Sequence, residues 1–73
     1  KVNHSEQVLQ FEVTTAQHAA QARRKLDALI LGGYEILSIH EREVWDEESG
    51  QRRRIRSVRV YGKEVRQNPE SQQ

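Results

Sequence analysis

The sequence predicts a small α+β domain of the order β-α-β-β, in which one helix packs on a three-stranded antiparallel sheet. Three observations support this prediction: an alternating apolar segment near the start, a helix-forming segment that ends at a glycine pair, and two further alternating segments around a polar turn. The 73 residues, 34% of them hydrophobic, suffice for one domain with a thin core. A thin core favours a further interface, so we expect a homo-oligomer, most simply a dimer, formed either by extension of the sheet or by helix packing.

The first strand is predicted from Gln7 to Thr14. Polar and apolar residues alternate there, which gives a half-buried strand one apolar face, formed by Leu9, Phe11 and Val13. Residues 1–6 are polar, and we expect them to be flexible, as chain ends usually are.

A helix is predicted from Thr15 to Leu31, because alanine, leucine, glutamine and arginine dominate this segment and no proline interrupts it. Thr14 is the predicted N-cap, since Gln17 follows three residues later as in a capping box. The glycine pair at 32 and 33 ends the helix. The stripe expected to face the sheet consists of Ala19, Ala22, Leu26, Leu29 and Ile30.

The second and third strands are predicted to form a hairpin, from Glu35 to Trp45 and from Arg53 to Tyr61 or beyond, around a polar turn with Gly50. The two strands of this hairpin carry net charges of opposite sign. Residues 35–48 carry six acids and one base, whereas residues 51–66 carry seven bases and one acid. We therefore expect the acidic strand to neutralise part of the basic one.

A hairpin register in which Trp45 lies opposite Arg52 is consistent with both the apolar and the charge pattern of the two strands. It places apolar residues together and acids opposite bases, in the pairs Leu37 with Val60, Ile39 with Val58, Glu41 with Arg56, and Glu43 with Arg54. A two-residue shift preserves the faces and sets Glu43 against Arg56 instead. The sequence thus predicts which residues share a face and leaves two registers open.

Residues 7–66 are predicted to form a single domain, followed by a disordered polar tail at 67–73. The absence of cysteine excludes disulfides and thiolate metal sites. We find neither an apolar run of about 18 residues nor the pattern of a secretion signal, and we therefore expect a cytoplasmic protein that does not engage a membrane.

No catalytic, metal or cofactor site is predicted, so we expect a protein that is not an enzyme. The three histidines, His4, His18 and His40, lack the spacing of a zinc site. The acidic turn at 46–48 lacks the spaced ligands of a calcium loop. The glycine pair lacks the further residues of a phosphate-binding loop.

The basic third strand suggests a binding module that holds DNA or RNA by electrostatics and stacking. Arg54 and Arg56 are not counted among the binding residues, because they are expected to pair with the acidic second strand. The residues expected to bind nucleic acid are Arg52, Arg53, Arg59, Lys63 and Arg66, with Trp45 and Tyr61 as stacking rings. The alternative is a protein-interaction or assembly domain that forms homo-oligomers through sheet edges and charged hairpins.

The stretch from Leu26 to Ile39, "LDALILGGYEILSI", followed by a hairpin ending in "VRVYGK", resembles the small bacterial domain-of-unknown-function family 4177. The matching residues are Gly33, Tyr34, Glu35, Ser38, Tyr61 and Lys63. Ile30 stands where the family has its first glycine, and tyrosine replaces the commoner tryptophan. The resemblance covers about half of the chain and implies the same β-α-β-β layout, with no known activity.

Overall fold

The structure, a computed structural model, describes residues 3–64. Its elements are β1 (His4–Glu12), α1 (Ala16–Leu31), β2 (Glu35–Asp46) and β3 (Gln51–Lys63). The strands form one antiparallel sheet in the order β1-β3-β2, with α1 packed on one face. The predicted α+β fold is confirmed. Within residues 3–64, no helix is long and apolar enough to cross a membrane.

Strand β1 begins at His4, before the predicted start at Gln7. The reason is the length of β3, which runs to Lys63 and offers pairing partners to the first residues: His4 lies opposite Lys63, and Ser5 opposite Gly62. Residues 4–6, predicted to be flexible, therefore belong to the sheet. The predicted tail at 67–73 lies outside the described residues.

The helix is capped by Thr15, and the predicted cap at Thr14 is wrong. The Thr15 side chain accepts a hydrogen bond from the His18 amide at 3.0 Å. Thr14 instead donates to the Glu12 carboxylate at 2.8 Å and accepts from the Arg54 amide at 3.1 Å. Its hydroxyl therefore ties the end of β1 to β3 and is not available to cap the helix.

The core lies between α1 and the central strand. Val58 and Val60 of β3 are 0% exposed, and Ala22 of the helix is buried with them. Four of the five residues in the predicted helix stripe are buried or half-buried, but Ile30 is 51% exposed. Consecutive helical residues point about 100° apart, so Leu29 and Ile30 do not both face the sheet in the last turn.

Of the three strands, β1 makes the closest backbone approach to the helix in the described part of the chain. Ile39 and Trp45, on the β2 part of the helix side of the sheet, are exposed. The core therefore occupies only the half of the sheet nearest the helix, and the outer half of the hairpin extends beyond it.

The hairpin follows the register in which Trp45 opposes Arg52, and Glu41 and Glu43 oppose Arg56 and Arg54 as predicted. The predicted pair of Leu37 and Val60 is wrong, because an irregularity between Ile36 and Ser38 puts Ile36 opposite Val60. A bulge of this kind inserts one residue into a strand, which here leaves Leu37 unpaired.

Candidate nucleic-acid interface

The predicted binding residues are divided between the two faces of the sheet. Side chains alternate along β3, and residues paired across strands share a face. Arg52 and its partner Trp45 lie on the helix side, with Val58 and Val60. The other face, here called the open face, carries Arg53, Arg59, Tyr61 and Lys63. Arg66 lies outside the described residues.

On the helix side, the arginines of β3 are paired with the carboxylates of β2. Arg56 Nη2 lies 2.8 Å from Glu41 Oε2. Glu43 receives two cations, Arg54 at 3.5 Å and Arg52 at 3.3 Å. The predicted pairing of Arg54 and Arg56 is confirmed. Arg52 was expected to be unpaired, but it shares the carboxylate of Glu43.

Arg53 is also engaged, in a bidentate ion pair with Glu12. Its Nε and Nη2 donate to Glu12 Oε2 and Oε1, each at 3.0 Å. Hydrogen bonds from Arg53, and then from Thr14, lower the pKa of Glu12 from its ordinary 4.5 to about 2. The same contact raises the pKa of Arg53. Arg53 therefore joins β3 to the end of β1, and it was not expected to have this partner.

Three cations on the open face have no carboxylate within 4.0 Å among residues 3–64: Arg42, Arg59 and Lys63. Arg59 and Lys63 were predicted as binding residues, whereas Arg42 was missed. Its position between Glu41 and Glu43 makes it look like part of the acidic strand. The alternation of β2 is the signal that finds it, because Arg42 lies opposite Ile55 on the open face.

Tyr61 lies on the open face beside His4. The two rings are stacked, with centroids 6.2 Å apart and planes inclined by 28°, and Tyr61 remains 44% exposed. His4 was not predicted to take part, because residues 1–6 were expected to be flexible. The ring pair lies two residues from Arg59, which is about 7 Å along the strand.

Four acids lie on the open face, and two of them flank Tyr61; of the others, Glu12 is paired with Arg53 and Asp46 lies at the hairpin end. Glu6 and Glu35 are the cross-strand neighbours of Tyr61 on either side. Arg59, in contrast, lies between Val8 and Ser38, neither of which is charged. An anion is therefore attracted most strongly at Arg59 and towards Arg42, with the rings at one end of that path.

Comparisons of the chain with models of protein families, with curated proteins and with solved structures found no match. The resemblance to family 4177 stays a prediction.

Proposed function

We propose that this domain binds single-stranded nucleic acid, DNA or RNA, across the open face of its sheet. The observation that carries the proposal is that Arg42, Arg59 and Lys63, none of which has a carboxylate partner within residues 3–64, share this face with the stacked rings of His4 and Tyr61. Single strands bind such surfaces by placing phosphates near cations and bases on rings.

The spacing of these groups suits an extended strand. From Ile55, the neighbour of Arg42, to Lys63 is eight residues of β3, or roughly 26 Å. Stacking contributes about 1–3 kcal/mol per base. Three phosphate contacts would give a slope of about −2 in a plot of log affinity against log salt concentration. Binding is therefore expected to be weak and salt-sensitive, without base readout.

Charge reversal at Arg59 is expected to weaken binding at least tenfold at about 50 mM salt, because it replaces an attraction to phosphate with a repulsion. Tenfold corresponds to a change in binding free energy of about 1.4 kcal/mol. The measurement is fluorescence anisotropy with labelled oligo-dT and oligo-U of about 12 nucleotides. Arg24→Glu is the matched control, since it makes the same charge change on an exposed helical residue that has no carboxylate within 4.0 Å in the described part of the chain. It should change affinity less than about threefold.

An equal loss in Arg59→Glu and Arg24→Glu would mean that only net charge matters and would contradict a site on the open face. Absence of binding by the parent at about 50 mM salt would contradict the proposal as a whole. A comparison of the two oligonucleotides decides between DNA and RNA.

The alternative function, assembly of homo-oligomers, finds more support in the sheet edges than in the charged hairpins. Glu41 and Glu43 are already paired with arginines of their own hairpin, so recognition of a second hairpin would first have to break those contacts. The edges retain backbone groups that a second chain can bind.

A further inference from the structure

Strand β1 forms one outer edge of the sheet, and its hydrogen-bonding pattern determines which backbone groups point outward. The Val13 amide donates to the Arg54 carbonyl at 2.8 Å, and the Glu64 amide donates to the Asn3 carbonyl at 3.0 Å. In an antiparallel ladder, hydrogen-bonded pairs recur at every second residue. The odd-numbered residues of β1 therefore bond to β3, and the even-numbered ones direct their N–H and C=O groups away from the sheet.

The centre of this edge is apolar and accessible. Val8 is the middle residue of the nine in β1 and is 59% exposed, on the open face. Proteins commonly protect edges with lysine, proline or a bulge. Between His4 and Glu12, β1 contains none of these devices.

We propose that β1 pairs antiparallel with β1 of a second copy, around a two-fold axis at Val8, to form a continuous six-stranded sheet. In this register Val8 meets the partner's Val8, Glu6 meets the partner's Gln10, and His4 meets the partner's Glu12. All nine residues of the strand are paired. Every outward-facing residue then exchanges backbone hydrogen bonds across the interface.

The charges on β1 favour this register over its neighbours. A shift of two residues in one direction sets Glu6 opposite the partner's Glu12, which brings two carboxylates together. A shift in the other direction sets Val8 opposite the partner's Glu6 and leaves Glu12 without a cross-strand partner. Because like charges in opposed positions are destabilising, the register centred on Val8 is the most complementary of the three.

The helix leaves room beside this edge. A cavity of about 210 Å³ lies between β1 and α1, lined by Phe11 and Glu12 on the strand and by His18, Gln21 and Lys25 on the helix. In the proposed register, the partner's Ser5 lies opposite Phe11. A small side chain therefore arrives on the helix side of the sheet where space is available.

The test uses two charge variants of one residue, Val8→Lys and Val8→Glu. Because Val8 would meet itself across the axis, each variant places like charges together and should remain monomeric. An equimolar mixture of the two should dimerise, since lysine then meets glutamate. The measurement is sedimentation velocity from roughly 10 µM to 1 mM, a range suited to a small interface.

The parent should associate in this range, and Leu31→Lys, a control at an exposed site on the helix, should associate like the parent. A parent that stays monomeric at about 1 mM overturns the proposal. So does a Val8→Lys variant that still dimerises, because another surface is then responsible. A mixture that fails to dimerise overturns the two-fold register at Val8.

This dimer does not depend on nucleic-acid binding, and its test contains no nucleic acid. Pairing through β1 would join the two open faces into one surface, because the even-numbered side chains of β1 lie on that face in both copies. The two faces would then present Arg42, Arg59 and Lys63 from each copy on one sheet.

Discussion

Substitution of Gly62 by alanine is expected to destabilise the domain by roughly 1–3 kcal/mol. Gly62 is buried, and a Cβ atom there would lie 2.5 Å from Cδ2 of Tyr34. The tyrosine ring is held in place because its hydroxyl donates to the Lys63 carbonyl at 2.8 Å. Either the ring or the end of β3 must move. Urea unfolding measures the change in the free energy of unfolding.

The Tyr34→Ala background provides the control for this prediction. With the ring removed, the added methyl group has space, so Gly62→Ala should have little effect there. The double-mutant cycle should therefore give a coupling of at least about 1 kcal/mol between the two positions. A Gly62→Ala effect that is the same in both backgrounds would contradict the steric account.

Glu12→Gln is expected to lower the melting temperature at pH 7, with a difference from the parent that shrinks between about pH 4.5 and pH 2. The pKa of Glu12 is lowered from 4.5 to about 2 by Arg53 and Thr14, so its carboxylate stabilises the folded state above the unfolded pKa. Protonation removes that contribution as the pH falls towards the folded pKa. Thermal unfolding followed by circular dichroism across this pH range measures the difference.

Glu6→Gln is the matched control, because Glu6 lies on the same strand and the same face and has no cation within 4.0 Å among the described residues. It should change the melting temperature little at any pH. If the effect of Glu12→Gln is as large at pH 2 as at pH 7, the ion pair with Arg53 does not stabilise the fold in the way described.

The periodicity of the chain predicted the elements of the fold, because alternation and helix propensity act locally. Charge complementarity between Glu41, Glu43 and the arginines of β3 predicted which hairpin residues share a face and left two registers open, of which the structure adopts the one with Trp45 opposite Arg52. The bulge at Leu37 was not predictable, since an extra residue changes neither the composition nor the outer half of the pairing. The helix cap was misplaced by one residue because two threonines adjoin, and Glu12 and Arg54 engage the first of them.

The candidate site was predicted in part. Because side chains alternate along a strand, Arg59 and Lys63 lie on the same face of β3 regardless of which strands are its neighbours. The pairing of Arg53 with Glu12 depends on β1 lying next to β3, and that neighbour was not fixed by the sequence. Trp45 was grouped with Tyr61 because both are aromatic, although their strand positions put them on opposite faces.

The central claim, that single-stranded nucleic acid binds the open face, is tested most directly by an NMR titration that observes side chains on both faces. On addition of oligo-dT at low salt, the Nε–H signal of Arg59 and the ring signals of Tyr61 should shift. The indole N–H of Trp45 and the Nε–H of Arg56, on the helix side, should stay in place. Shifts confined to Trp45 and Arg56, or no shifts at all, would contradict the account.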